Sequence, residues 1–274
     1  QDAASCMLPD ALLDAVFTDP PYFGNVQYAE LMDFCYVWLK KLVGQNFHAF
    51  KGDSTRTPDE LTGNVDMGRG LDHFTEGISA VYQKMSKALK PGAPLAFTYH
   101  HNTIEAYYPV AVAILDAGLT CSASLPCPAE MGASIHINGT GSSIIDTVFV
   151  CRKTGVMQRK WIADTPHELA RIVEKDLNHL RSGNVKPTRG DIRCVTYGHL
   201  IRLAIWSLRL NWNKNKPTTS RIAKVADWLR RFGGWADVEK CMECEQKEVA
   251  NDTSLFSVNE SDAKYGEEYA DVPF

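Results

Sequence analysis

The residues best equipped for chemistry stand together at Asp19, Pro20, Pro21 and Tyr22, where the run "LLDAVFT" meets an acid and two prolines. Proline fixes φ and has no N–H, so neither can extend a sheet ladder and both leave their carbonyls rigidly aimed as acceptors. Asp19 adds a second acceptor, and Tyr22 a flat aromatic face. Two acceptors beside a stacking surface suit a planar group that carries an exocyclic amine. Such an amine is a poor nucleophile, because its lone pair is delocalised into the ring. Accepting both its N–H bonds, from the Asp19 carboxylate and the Pro20 carbonyl, draws the lone pair back onto nitrogen. The nitrogen then attacks an electrophilic methyl group held in line. Tyr22 stacks on the base once it is swung out of a helix. An Asp-Pro turn by itself is a common loop opener. A tetrapeptide of this kind arises by chance roughly once in 10⁵–10⁶ positions, so chance is a poor account of it in 274 residues.

The surrounding elements must deliver this motif to a site. "LLDAVFTDP" reads as a buried strand stopped by proline, and ligands of open α/β sheets bind beyond the carboxyl ends of the strands. "DHFTEGISAVYQKMSKALKPG" has Phe74, Ile78, Val81, Met85 and Leu89 at helical spacing and ends at Lys90-Pro91-Gly92. "APLAFTYHH" is a second strand, "TIEAYYPVAVAILDAGL" a helix stopped by Gly118, "TCSASLPCP" a third strand and "SSIIDTVFVCRK" a fourth after a turn-forming "NGTGSS". That order predicts an α/β fold, a parallel sheet finished by an antiparallel hairpin. It amounts to half of a doubly wound sheet. About three more strand units are required, so the expectation is a fragment or a half supplied from elsewhere.

Beyond Lys153 the pattern is helical without strands. "TPHELARIVEKDLNHLRSG" has Thr165 as N-cap, Pro166 at the first helical position and Gly183 as stop. "GDIRCVTYGHLIRLAIWSLRL" and "TTSRIAKVADWLRRFGG" follow, the last with Gly233 as a C-cap. The expected organisation is 1–153 as the α/β part, 154–236 as a helical region and 237–274 as an acidic, mobile tail. The formal net charge is −4. Acids dominate from Cys241 onward and the remainder is slightly basic, so charge neither supports nor excludes a phosphate partner. No apolar run approaches the roughly 20 residues needed to span a bilayer, and the opening "QDAASCMLPDALLDA" is unlike a signal peptide. A cytoplasmic location without membrane contact is expected. Of the eight cysteines only Cys241 and Cys244 have metal-ligand spacing. A lone CxxC reads as reduced thiols in preference to zinc, so no metal is expected.

The motif resembles that of the S-adenosylmethionine-dependent amino-methyltransferases, and the longer "TDPPYFGNVQYAELMDFCYVWL" resembles the DUF1156-type adenine-specific DNA methylases. The resemblance covers Gln1 to about Lys153, and more loosely the helices to about Gly234. It implies a partial Rossmann-like methyltransferase sheet equivalent to strands four to seven, with the Asp-Pro-Pro-Tyr motif ending the fourth. It implies methylation of DNA, adenine N6 foremost, with RNA, a protein glutamine amide or a catalytically silent DNA-binding or assembly role as alternatives. Asp19, Pro20, Pro21 and Tyr22 are then catalytic, and Asp19 and Pro20 also meet the cofactor S-adenosyl-L-methionine. Asp2 and Ala3 stand where the family's cofactor-contacting Asp-Ala lies. The family's glycine-rich first motif is absent, so an upstream segment or partner subunit is expected to supply it.

Around the motif, Asn25 and Tyr28 are candidates for contact with the base or substrate backbone, Tyr28 equally for packing. Glu30 and Asp33 continue into a helical segment in which Phe34, Val37 and Trp38 read as core. His100 and His101 end the second strand on the site side, and His100 is the candidate for touching substrate. "HINGTGSS" (His136 to Ser143) lacks the lysine and helix of a P-loop and reads as a hairpin loop. Arg171, Arg181, Lys186, Arg189, Arg193, Arg202 and Arg209 read as solvated helix charges or as a phosphate-contacting face.

Overall fold

The structure, a computed structural model, describes residues 3, 5–24, 26–64, 67–129, 143–153 and 157–244. The chain runs β1 (Val16–Thr18), α1 (Tyr28–Val43), α2 (Leu71–Ala88), β2 (Leu95–Tyr99), α3 (Tyr108–Asp116), β3 (Thr120–Pro128), β4 (Ile145–Arg152), α4 (Pro166–Ser182), α5 (Arg189–Leu208) and α6 (Thr218–Phe232). Each strand and helix read from the sequence is present within a few residues. Gly118 (φ 66°) and Gly233 (φ 99°) end α3 and α6 in left-handed conformations that suit glycine. The Thr165 side chain accepts from the Glu168 amide at the start of α4.

The sheet order is β1-β2-β4-β3. β1 pairs parallel with β2, while β4 is antiparallel to both β2 and β3. The expected terminal hairpin exists, but it is folded back so that its second strand lies between β2 and β3. β3 therefore runs in the same direction as β1 and β2. Among the four strands of the described residues only β1 and β2 pair in parallel, because the strand inserted next to β2 comes from the hairpin.

One face of this mixed α/β sheet carries the core. β4 alternates buried and half-buried residues along its length, the mark of a strand with one covered face. Phe97 lies between Tyr82 of α2 and Phe149 of β4, with ring centroids 5.1 and 5.2 Å apart. Burying such rings stabilises the fold by about 1.5–3 kcal/mol each. α5 approaches the same face closely: a Cβ on Gly198 would sit 2.5 Å from Ser124 Oγ and 2.7 Å from Thr147 Cγ2. The helical region thus shares one continuous core with the sheet. The opposite face, read from the register, carries Phe17, Ala96, Val148, Val150 and Leu125. Phe17 is 78 % exposed. Among the described residues β1 is also an edge strand with a single neighbour.

Two expectations need revision. Phe34, Val37 and Trp38 are not core: they are 73, 48 and 57 % exposed. α1 turns the other way, with Ala29 and Tyr36 buried and its inward side held by polar bonds. Asp33 accepts from Thr55 N (2.7 Å) and from the hydroxyls of Thr55 and Ser54 (both 2.8 Å), and both Tyr36 Oη and Lys40 Nζ donate to the Gly52 carbonyl at 2.7 Å. Those bonds hold Asp33 below the usual carboxylate range, Thr55 foremost. An acid with this many donors wins the inward position over the larger aromatic residues, which are left outside. Second, residues 235–244 are helical, with Val238 and Met242 buried in the core. Ordered structure thus continues beyond the boundary expected at 236, and the acidic stretch from 245 lies outside the described residues.

No helix among the described residues is long and apolar enough to cross a membrane. Among them, too, no group of three or more His, Cys, Asp or Glu side chains is arranged to hold a metal ion.

Candidate functional site

Asp19 follows the last residue of β1 and is exposed at the rim, whereas Pro20 beneath it is buried and Pro21 and Tyr22 are half-buried. Thr98 of β2 stands beside Asp19, and its hydroxyl donates to Asp19 Oδ1. The parallel register makes this contact: Thr18 pairs with Phe97, so the next residue of each strand meets its neighbour. Asp19 and Thr98 also line a depression of about 330 Å³ on the open sheet face, with Phe17, Ala96 and Val148. The carboxylate is thus aimed and reachable, beside an apolar wall.

Tyr22 packs on Tyr99, ring centroids 5.2 Å apart and tilted by 58°. Burial raises its phenol well above the ordinary tyrosine value. A hydrogen bond with Thr98 works against this, and the nearby Asp146 and Asp19 charges add to it. The phenol is therefore a neutral hydroxyl at any ordinary pH, and Asp146 is a second carboxylate close to the motif. Tyr28, at the first turn of α1, is brought to the same place. Its phenol is raised by partial burial and then by the Asp19 charge, and it hydrogen-bonds the Tyr22 backbone.

The loop after the motif is fixed from several sides. Phe23 N donates to Tyr99 Oη at 3.4 Å, and Tyr99 Oη donates to the Ala106 carbonyl at 2.8 Å. The Phe23 ring meets Phe74 edge-on at 5.4 Å. A Cβ on Gly63 would lie 2.9 Å from both Gly24 N and the Phe23 ring, so the 60–64 loop approaches as closely as glycine permits. His101 is a positioning residue here. Its Nδ1 accepts from Thr103 N at 3.0 Å, and a second hydrogen bond ties the ring to the Phe23 backbone. Burial lowers its basicity, so the ring is a neutral strut.

His100 is turned toward α5 and the start of β4. Its Nδ1 lies 3.1 Å from the Ile145 carbonyl and 3.4 Å from Cys194 Sγ, and burial keeps it below the ordinary histidine value. With Nδ1 engaged, only Nε2 is left to meet a ligand. Ala3 is not brought to Asp19. Its carbonyl accepts from Cys6 Sγ at 3.3 Å, and Cys6 lines a depression with Lys87, Asp116 and Ala117 at the other end of the sheet. Asp2 and Asn25 lie outside the described residues, as do residues 136–142 of the His136 to Ser143 loop. Ser143 itself is buried, and its hydroxyl donates to Asp191 Oδ1 at 2.7 Å.

The basic residues of the helical region do not form one face. Arg202 is only 1 % exposed, with its Nη1 against Met157 Sδ and its Nε on His199 Nδ1, and so it is not available to a phosphate. Arg181 pairs with Glu174 at 2.5 Å and Arg189 with Glu239 at 2.6 Å.

Sequence reasoning missed Thr98 and Asp146. A hydroxyl one residue past the part of β2 that pairs with β1 was the available signal for Thr98, but it needs the register. Comparison of the chain with family models, with curated proteins and with solved structures gives no match.

Proposed function

We infer that this chain carries the reactive half of an S-adenosylmethionine-dependent methyltransferase acting on an exocyclic amino group in DNA, adenine N6 foremost. The observation that supports it best is the exposed Asp19 carboxylate at the carboxyl end of β1, aimed by Thr98 and flanked by the phenols of Tyr22 and Tyr28.

The residues of this chain perform the following. Asp19 accepts one N–H of the target amine, and the Pro20 carbonyl the other. The nitrogen lone pair is thereby localised, and the positive charge that develops on nitrogen is met by the carboxylate. Tyr22 and Tyr28 supply aromatic surface to an unstacked base. His101 and Tyr99 keep the loop at Phe23 in place. The proton released afterwards passes to Asp19 or to water, so a histidine base is not needed. The cofactor supplies an electrophilic methyl group when bound. Toward it the chain offers the Asp19 carboxylate and the apolar wall of Phe17, Ala96 and Val148. These residues fit one side of such a group only, since the described residues contain no glycine-rich strand-to-helix turn to hold its adenosine end.

A second α/β unit completes the site. The open edge of β1 and the exposed apolar side chains Phe17 and Leu125 on the sheet face favour one, because an unpaired strand edge and an exposed apolar patch mark an interaction surface. A Rossmann-like arrangement and a cytoplasmic location belong to the same reading. The test is methyl transfer from labelled cofactor to DNA, RNA and protein by the chain in its complete assembly. Labelled DNA that vanishes with Asp19→Ala supports the reading. Label in RNA or protein alone reassigns the substrate. Turnover unchanged by Asp19→Ala overturns the mechanism.

A further inference from the structure

Away from Asp19, the helical region has an unassigned surface of aromatic rings and cations. α5 starts beside the site end of the sheet, where the buried Asp191 carboxylate accepts from Ser143 Oγ and Ile144 N. Its 20 residues carry it roughly 30 Å to the other end. There the last turn of α5 and α6 enclose a cleft of about 590 Å³. Leu203 and Leu208 form its buried floor, and Trp206, Trp228 and Phe232 its walls. The Arg209 guanidinium lies over the Trp206 ring, 3.3 Å from its centroid. Trp228 and Phe232 are stacked, with centroids 5.1 Å apart and planes at 16°. Arg231 stands exposed on the rim.

Ile162 lines both this cleft and a second, shallower depression of about 370 Å³. The second one holds Trp161, with Lys175 Nζ 4.8 Å and Lys160 Nζ 5.6 Å from its ring centroid, and Arg159 and Arg171 beside it. Among the described residues the only acids lining the two are Asp164 and Glu168, and each already has a donor. Asp164 Oδ2 accepts from Arg159 at 3.0 Å, and Glu168 Oε2 from the Asp164 amide at 2.7 Å.

We propose that these adjoining concavities bind single-stranded nucleic acid, one unstacked base in the Trp206–Trp228 cleft and the neighbouring phosphates on Arg209, Arg231 and the cations around Trp161. An apolar side chain would be served by the floor alone. Exposed guanidinium and ammonium groups interleaved with tryptophan suit a planar heterocycle joined to an anionic linkage, and stacking of this kind tolerates any base. A duplex keeps its bases out of reach of such a cleft, so the strand must be single. The inference goes beyond methyl transfer and does not rest on it.

The test follows tryptophan emission of the full chain titrated with a single-stranded 12-mer, a duplex of the same sequence, adenosine monophosphate and polyglutamate, over a salt series. Expected is saturable quenching by the single strand, with affinity falling steeply as salt rises. Trp228→Leu and Arg209→Ala should each weaken it about tenfold, with an unchanged far-ultraviolet dichroism spectrum. Absence of saturable quenching at low salt, or variants that bind as the parent does, would overturn the proposal. So would mononucleotide binding as tight as the 12-mer, or equal affinity for polyglutamate, which would mark a site for an acidic protein.

Discussion

The Thr98 hydroxyl donates to the Asp19 carboxylate from the neighbouring strand, so the orientation of the acid is set by the register between β1 and β2. A hydrogen bond to a charged group contributes about 1.5–3 kcal/mol. Under the proposed function, replacing Thr98 with Val should therefore lower methyl transfer by roughly 10- to 100-fold with little change in the melting transition. Single-turnover rates of the complete assembly in the proposed methyl-transfer assay check it, and an unaltered rate would remove Thr98 from the site.

By the proposed mechanism Asp19→Ala should cost more, about 10²–10³-fold in turnover, because it removes the group assigned to meet the developing charge. Asp19 is exposed, so the change in folding stability should stay within about 0.5 kcal/mol. Denaturant unfolding separates the two effects.

The junction of α3 with α6 should be the most sensitive structural point outside the site. Asp116 is buried, and its carboxylate accepts from Ser79 Oγ (2.6 Å), Trp212 Nε1 (2.8 Å) and the buried Arg221 guanidinium. Asp116→Ala leaves that guanidinium without its buried partner and should destabilise the chain by about 3–5 kcal/mol. Urea unfolding midpoints at constant slope measure this.

Acid should weaken the fold through its histidines. His199 is fully buried, and burial lowers its basicity despite the hydrogen bond from Nε2 to Asp176 at 2.8 Å. His100 and His101 are lowered by burial as well. The unfolded chain therefore takes up these protons first. Stability is fully present above the ordinary histidine value of about 6.5 and falls as pH drops below it toward the folded-state values. Unfolding free energy measured from pH 8 to pH 5 should show this slope, and His199→Gln should flatten it.

The outer arc of α1 gives a prediction about association. Phe34 and Trp38 face solvent, with Leu31 and Leu42 alongside. A contiguous apolar surface of this kind marks an interaction site or an aggregation liability. Phe34→Glu with Trp38→Glu should reduce self-association of the isolated chain in sedimentation runs, with unfolding midpoints nearly unchanged.

How far the sequence could be read follows from what its patterns encode. Period and punctuation located β1–β4 and α1–α6, because signals such as Pro166, Gly118 and Gly233 act locally, but not the helix at 235–244. The placement of Asp19 beyond a strand end was legible for the same reason. Periodicity defines an apolar stripe but not which side of a helix the chain turns inward, and at α1 the donors around Asp33 decided otherwise. Thr98 and Asp146 were hidden because they reach the motif through pairing across strands, which distant segments determine. The folded-back hairpin was hidden likewise: nothing local tells β4 to lie beside β2.

Because β1 has three residues and, among the described residues, one neighbour, the carboxylate that the proposed chemistry uses hangs from the least anchored rung of the ladder. In the proposed function, whatever seats itself along that margin would stiffen that carboxylate in the same event that brings the methyl donor. Assembly would then work as an ignition step, and a solitary chain would stay inert toward the amines it meets.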